Sequence, residues 1–219
     1  MNNVVGIFYA TLILLWARRA TLVRLSLPAF IGLVIARAAS SANIYFADLS
    51  IIFSAGAIVF ITASAWEDSF LQWRKIGTLE WMLAQGLTVR QLWLGIAMGI
   101  ALYSLLFSIM TSIVFVSSVH PNSNEALQVM LHNIVLGIWG SFAMSLLMTS
   151  LGFISKRVSY LQIIPNLAFF IIVFSAQYLQ YLLGSNVLWA FIIVFLLLLI
   201  SSIVLYRIID KERLITAIE

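Results

Sequence analysis

Cysteine is absent from this 219-residue chain, histidine occurs twice, proline three times, and charged side chains number only twenty. Each scarcity removes a class of function. Without cysteine there is no disulfide, no thiolate metal site and no thiol nucleophile. His120 and His132 stand twelve residues apart with no Asp/Glu cluster beside them, so both are read as packing or interfacial side chains, and no metal site is expected. No G-x-x-x-x-G-K-[ST] run occurs, so the chain has no P-loop for a nucleotide; H-E-x-x-H and G-x-S-x-G are missing too. Charged residues make up 9%, against about 25% in an ordinary soluble domain. So few charges cannot cover a water-facing surface. With 63% hydrophobic residues the chain reads as an all-α integral membrane protein, a single transmembrane domain over residues 1–219. The net charge of +4 would suit nucleic acid, but the placement of the charges argues for topology instead.

The apolar runs come in a definite order. Val4–Trp16 is thirteen residues long, too short to cross ~30 Å of hydrocarbon at 1.5 Å per residue. Arg18, Arg19 and Arg24 follow it, which makes residues 1–24 an expected interfacial helix on lipid phosphates, with a seventh span as the alternative; charges after the apolar run and none before it argue against a cleaved signal peptide. Six spans are then expected: Leu25–Ala39, Leu49–Ala65, Leu92 to about Val119, Val129–Ile154, Tyr160–Leu182 and Val187–Tyr206. Span one carries Arg37, whose expected partner is Asp48 at the outer start of span two. Span two offers Ser54, Ala55, Gly56 and Ala57 for close helix packing, and span three a weak signal of the same kind in Gly95 and Gly99. Span five is expected to bend at Pro165. Eleven of the twelve Lys and Arg residues then fall on one side of the membrane, leaving only Arg37 towards the other. By the positive-inside rule both termini are cytoplasmic.

Residues 66–91 form the one long polar interruption. This stretch holds Glu67, Asp68, Arg74, Lys75, Glu80 and Arg90, six of the twenty charges. It reads as a short surface helix. Gly77 breaks the preceding segment, Thr78 is the expected N-cap, and Glu80 lies in the first turn, where a carboxylate meets the positive helix end. Leu79, Met82 and Leu83 make a narrow apolar stripe. Gly86 is placed to end the helix in a left-handed cap, and Thr88 with Gln91 makes a T-x-x-Q capping box into the next span.

The order Glu67-Asp68, Arg74-Lys75, Gly77-Thr78-Leu79-Glu80, a short apolar helix, then Thr88-Val89-Arg90 resembles the permease subunits of type-2 ABC exporters. Gln85-Gly86 stands where that family usually has a small residue and proline. The resemblance implies that residues 66–91 are a coupling segment docking on a separate cytoplasmic ABC ATPase, which binds the ATP and Mg. Its apolar stripe of Leu79, Met82 and Leu83 would face that subunit. It further implies a six-span half-transporter in the cell membrane, paired with a second copy or a homologous permease, surrounded by membrane lipid and without nucleic acid. Spans two and five would line the permease interface, bringing Asn166, Gln177, Tyr178 and Tyr181 near a lipophilic substrate, with Arg37 a lesser candidate. The haem-exporter permease of cytochrome c maturation is a neighbouring resemblance, on the same acidic residues and G-T-L-E loop. A non-transporting immunity or scaffold protein is the reading from another class.

Overall fold

The computed structural model describes residues 2–18, 26–35, 46–119, 123–155, 160–161 and 163–208, and no strand occurs among them. The helices are α1 (Asn2–Ala17), α2 (Ser26–Ile35), α3 (Phe46–Trp66), α4 (Gln72–Lys75), α5 (Thr78–Ala84), α6 (Val89–Val119), α7 (Ser123–Ile154), α8 (Ile163–Phe174), α9 (Ala176–Leu183) and α10 (Val187–Ile208). A π-helical turn, Glu67–Leu71, joins α3 to α4, and a 3-10 turn, Gly184–Asn186, joins α9 to α10. Four stretches are long and apolar enough to cross a membrane: Ala47–Lys75, Val89–Ser118, Asn124–Ile154 and Ala176–Arg207. The protein therefore has the helical character of a membrane-spanning chain. Asn3–Ala17, Ser26–Ile35 and Ile163–Phe174 are apolar but shorter.

α3 is the hub. The apolar window of its helix is fully buried, whereas only 17% of the corresponding window ending in α10 is. At bilayer depth burial against protein gains little over burial against lipid, so close packing and hydrogen bonds must hold the helices together. Both are present. Ser54 and Ser112 share a hydrogen bond of 3.2 Å between α3 and α6, and Asn133 Nδ2 on α7 donates to Ser50 Oγ at 2.8 Å. Phe53 stacks on Phe115 at 5.2 Å, with Gly32 of α2 leaving room for the Phe53 ring. Gly140 of α7 takes Phe195 of α10, and Gly56 of α3 takes Phe169 of α8.

Directions follow from these pairs. α3 meets α7 at Ser50–Asn133 near their starts and at Trp66, Phe70 and Gly152 near their ends, so the two run parallel. Trp93, near the start of α6, donates to Ser150 Oγ of α7 at 2.8 Å and stacks on Tyr206 of α10 at 4.4 Å. The end of α10, the start of α6 and the ends of α3 and α7 thus share one end of the bundle. Among the described residues Arg18, Arg74, Lys75, Arg90 and Arg207 all belong to elements that reach that end.

The structure differs from the expected spans in three places. The helix of span two does not stop at Ala65; it continues through the π turn and α4 to Lys75, so the acidic pair sits on a helix rather than in a loop. Span five is broken at Ser175, not bent at Pro165. Pro165 lies in the first turn of α8, where a missing N–H costs nothing. Ser175 donates its hydroxyl back to the Ile171 carbonyl, a local bond that competes with helix continuation. Span one is described only as α2; Arg37, and with it the expected pairing to Asp48, lies outside the described residues, as do His120, Lys156, Arg157 and the tail beyond Ile208.

Candidate functional site

The stretch following α4 is built from local signals that each close a backbone valence. Gly77 adopts φ 71°, the left-handed turn that glycine takes without penalty, and its carbonyl accepts from Trp81 N at 3.0 Å. Gly77 is therefore the N-cap and Thr78 the first helical residue, so the helix starts one position earlier than expected, with no side-chain cap. The chain must reverse out of α4 through a positive φ, and Thr78 cannot take that role. The other end matches the sequence reading. Gly86 has φ 87°, its N–H bonds Leu83 O at 3.0 Å, and Leu87 N bonds Met82 O at 3.2 Å, the two bonds of a Schellman cap. The capping box forms in both directions: Thr88 N donates to Gln91 Oε1 at 2.9 Å, and Gln91 N to Thr88 Oγ1 at 3.2 Å.

Long-range contacts tie this hairpin of helices to the bundle. Arg74 Nη1 donates to Gly152 O and Ser155 O, both at 2.8 Å, and so caps the last carbonyls of α7 with a cation. The Glu80 carboxylate acts on Arg74 electrostatically, yet both its oxygens are buried without a hydrogen bond. Asp68, buried on the π turn, takes Arg18 from the end of α1 at 3.8 Å. Arg18 was expected on lipid phosphates, and the charge spacing of the sequence holds no signal for this partner. Glu67 is half-buried beside it.

Leu79 is 2% exposed, and Met82 and Leu83 pack against the same core. The stripe expected to face a partner is the inner face of α5. What α5 and its approach leave outside is Ile76, 71% exposed, and Trp81, 62% exposed, flanked by exposed Lys75, Ala84, Gln85 and Arg90. Trp81 lies two residues, or about 200°, from Leu79, so once one faces in the other faces out. That exposed tryptophan on a seven-residue helix is the residue sequence reasoning passed over.

The pathway residues are not brought together. Asn166 sits in the first turn of α8 with its Oδ1 buried and unbonded, whereas Gln177, Tyr178 and Tyr181 are exposed on α9, beyond the break at Ser175. Between α3, α7, α8 and α10 lies instead a cavity of about 270 Å3. None of Asn166, Gln177, Tyr178 or Tyr181 lines it; its walls are wholly apolar, among them Val59, Met144, Met148, Pro165, Ala168 and Phe195. Among the described residues no group of three or more His, Asp or Glu side chains could hold a metal.

Comparison with protein families, with curated proteins and with solved structures found no match to this chain.

Proposed function

We propose that this chain is the permease subunit of an ATP-driven exporter of the type-2 ABC kind, with residues 66–91 as its coupling segment. In this reading the chain crosses the cell membrane six times, keeps both termini in the cytoplasm, and forms the pathway with a second copy or a homologous permease. α1 packs lengthwise along α6, from Gly95 to Phe107, and a separate ATPase supplies the energy. The cargo is lipophilic.

The observation that carries the reading is the construction of the coupling segment. A seven-residue helix is held between a left-handed glycine and a Schellman cap, bolted to α7 through Arg74, and turned so that Ile76 and Trp81 stand exposed at the basic end of the bundle. A lever needs this combination: a stiff tip, a rigid connection to the spans, and an apolar anchor left for a partner. Two aromatic or aliphatic anchors amid polar neighbours also match the make-up of an interface centre.

The test uses Trp81→Asp. Trp81 touches solvent, so the variant should insert and melt as wild type does. It should lose, by about 30-fold or more in affinity, a co-purifying subunit that mass spectrometry identifies as carrying G-x-x-x-x-G-K-[ST]. Leu79→Asp is the contrasting variant: it places a charge in the chain's own core and should unfold this region outright. Retention of the ATPase and of export by Trp81→Asp would remove the coupling role from α5.

A further inference from the structure

Of the residues singled out from sequence, Ala55 and Pro165 line the cavity between α3, α7, α8 and α10, but neither was expected to bind anything, and the chemistry of the cavity is narrow. A buried water needs two to four polar partners, and these walls offer none, so water does not fill it. Its 270 Å3 has room for about nine water-sized groups at about 30 Å3 each. That is a short length of alkyl chain. The space lies where α8 packs on α3 and α10 on α7, with the small side chains of Ala55 and Ala168 among its lining.

The cavity also has a mouth. Ile164 and Val194 line it while being 66% and 48% exposed, so it opens on the outer surface of α8 and α10. That surface carries Ile171, Val194, Leu197 and Leu167, all exposed and all apolar. At the depth of the four long apolar helices such a face borders hydrocarbon. The geometry points to a binding site for one acyl chain of a bilayer phospholipid, which enters sideways between α8 and α10 and ends against Met144 and Met148. As the resting place of cargo the site rests on the exporter reading; binding itself rests only on these helices lying in the bilayer.

Met144, Met148 and Phe195 are 6%, 2% and 2% exposed, so lipid around the protein does not touch them unless a chain enters the cavity. The test returns the full purified chain, without any ATPase, to phosphatidylcholine vesicles doped with a phosphatidylcholine bearing a mid-chain diazirine, and maps the photo-adducts by mass spectrometry. Adducts on Met144 or Met148 are expected beside those on Ile171 and Leu197. Ala168→Phe fills the cavity and should cut the methionine adducts roughly tenfold, as losing two buried methylenes would, while leaving the outer adducts unchanged. Val194→Phe narrows the mouth from an exposed position and should act in the same direction if Ala168→Phe fails to fold. A free fatty acid with the same diazirine tests the source of the chain. Adducts confined to the outward positions, methionine adducts indifferent to both variants, or labelling by the fatty acid alone would each overturn the proposal. The assay contains no ATPase, so its failure leaves the exporter reading standing, and loss of that reading leaves a positive result intact.

Discussion

Arg74 and Glu80 show how a single charged side chain can serve two elements. The guanidinium satisfies two terminal carbonyls of α7, and it is the counter-charge for a carboxylate whose oxygens are buried without hydrogen bonds. Hydrogen bonds from a charged donor contribute about 1.5–3 kcal/mol, and Arg74 is half-buried, so Arg74→Ala should cost about 2 kcal/mol. Lysine, a point donor, restores only part of that. Glu80→Gln removes a charge that makes no hydrogen bond and should change stability little on its own. In the Arg74→Ala background the same change should be stabilising, because it neutralises an orphaned buried carboxylate. Melting curves of the four proteins in detergent check this; strictly additive effects would mean the two groups are independent.

Among elements, the contact of α1 with α6 is the most sharply specified. Gly95 and Gly99 sit where any Cβ would stand 2.7 Å from Ile7 Cβ and from Thr11 Cβ, with the Val4 and Phe8 carbonyls 3.0 and 3.2 Å away. Flexible side-chain ends could yield, but these are Cβ atoms and backbone, so α1 as a whole must move. Gly99→Val should therefore lift α1 from α6 and destabilise the protein by about 1–3 kcal/mol. The same shift would weaken the Arg18–Asp68 pair and the edge contact of Trp16 with Tyr103. Limited proteolysis should then cut the N-terminal helix faster in the variant. An unchanged digestion pattern would mean α1 is held by its ends alone. The small-residue spacing was visible in the sequence, but it named one half of the contact and not α1 as the other.

For the whole molecule, the shared location of the described basic residues supports the proposed orientation by the positive-inside rule. A cysteine replacing Ser185, in the turn before α10, should react with an impermeant thiol reagent on intact cells. One replacing Lys75, at the end of α4, should react only after the membrane is opened. The chain has no native cysteine to confuse the readout. Labelling of the Lys75 position from outside would invert the arrangement and with it the coupling role of α5.

The sequence alone determined what depends on near neighbours along the chain. The Schellman turn at Gly86 and the Thr88–Gln91 box are closed by bonds spanning a few residues, so residue order suffices to place them. Composition likewise determined the helical, membrane-spanning character, since hydrocarbon leaves no other use for such long apolar runs. The tertiary structure decided everything that turns on facing. A helix that is apolar all round has no stripe to mark its inner side, so α3 at the hub and α10 at the edge look alike in sequence. The break at Ser175 lay within a continuous apolar run, and the helix through Glu67–Leu71 within a polar one. Arg74 reaches carbonyls 78 and 81 residues away, and Arg18 pairs with Asp68 across two intervening helices. On α5 the same rule decided facing: Leu79 and Trp81 are both large and apolar, and only the packing of α5 on the bundle turns one into core and leaves the other exposed.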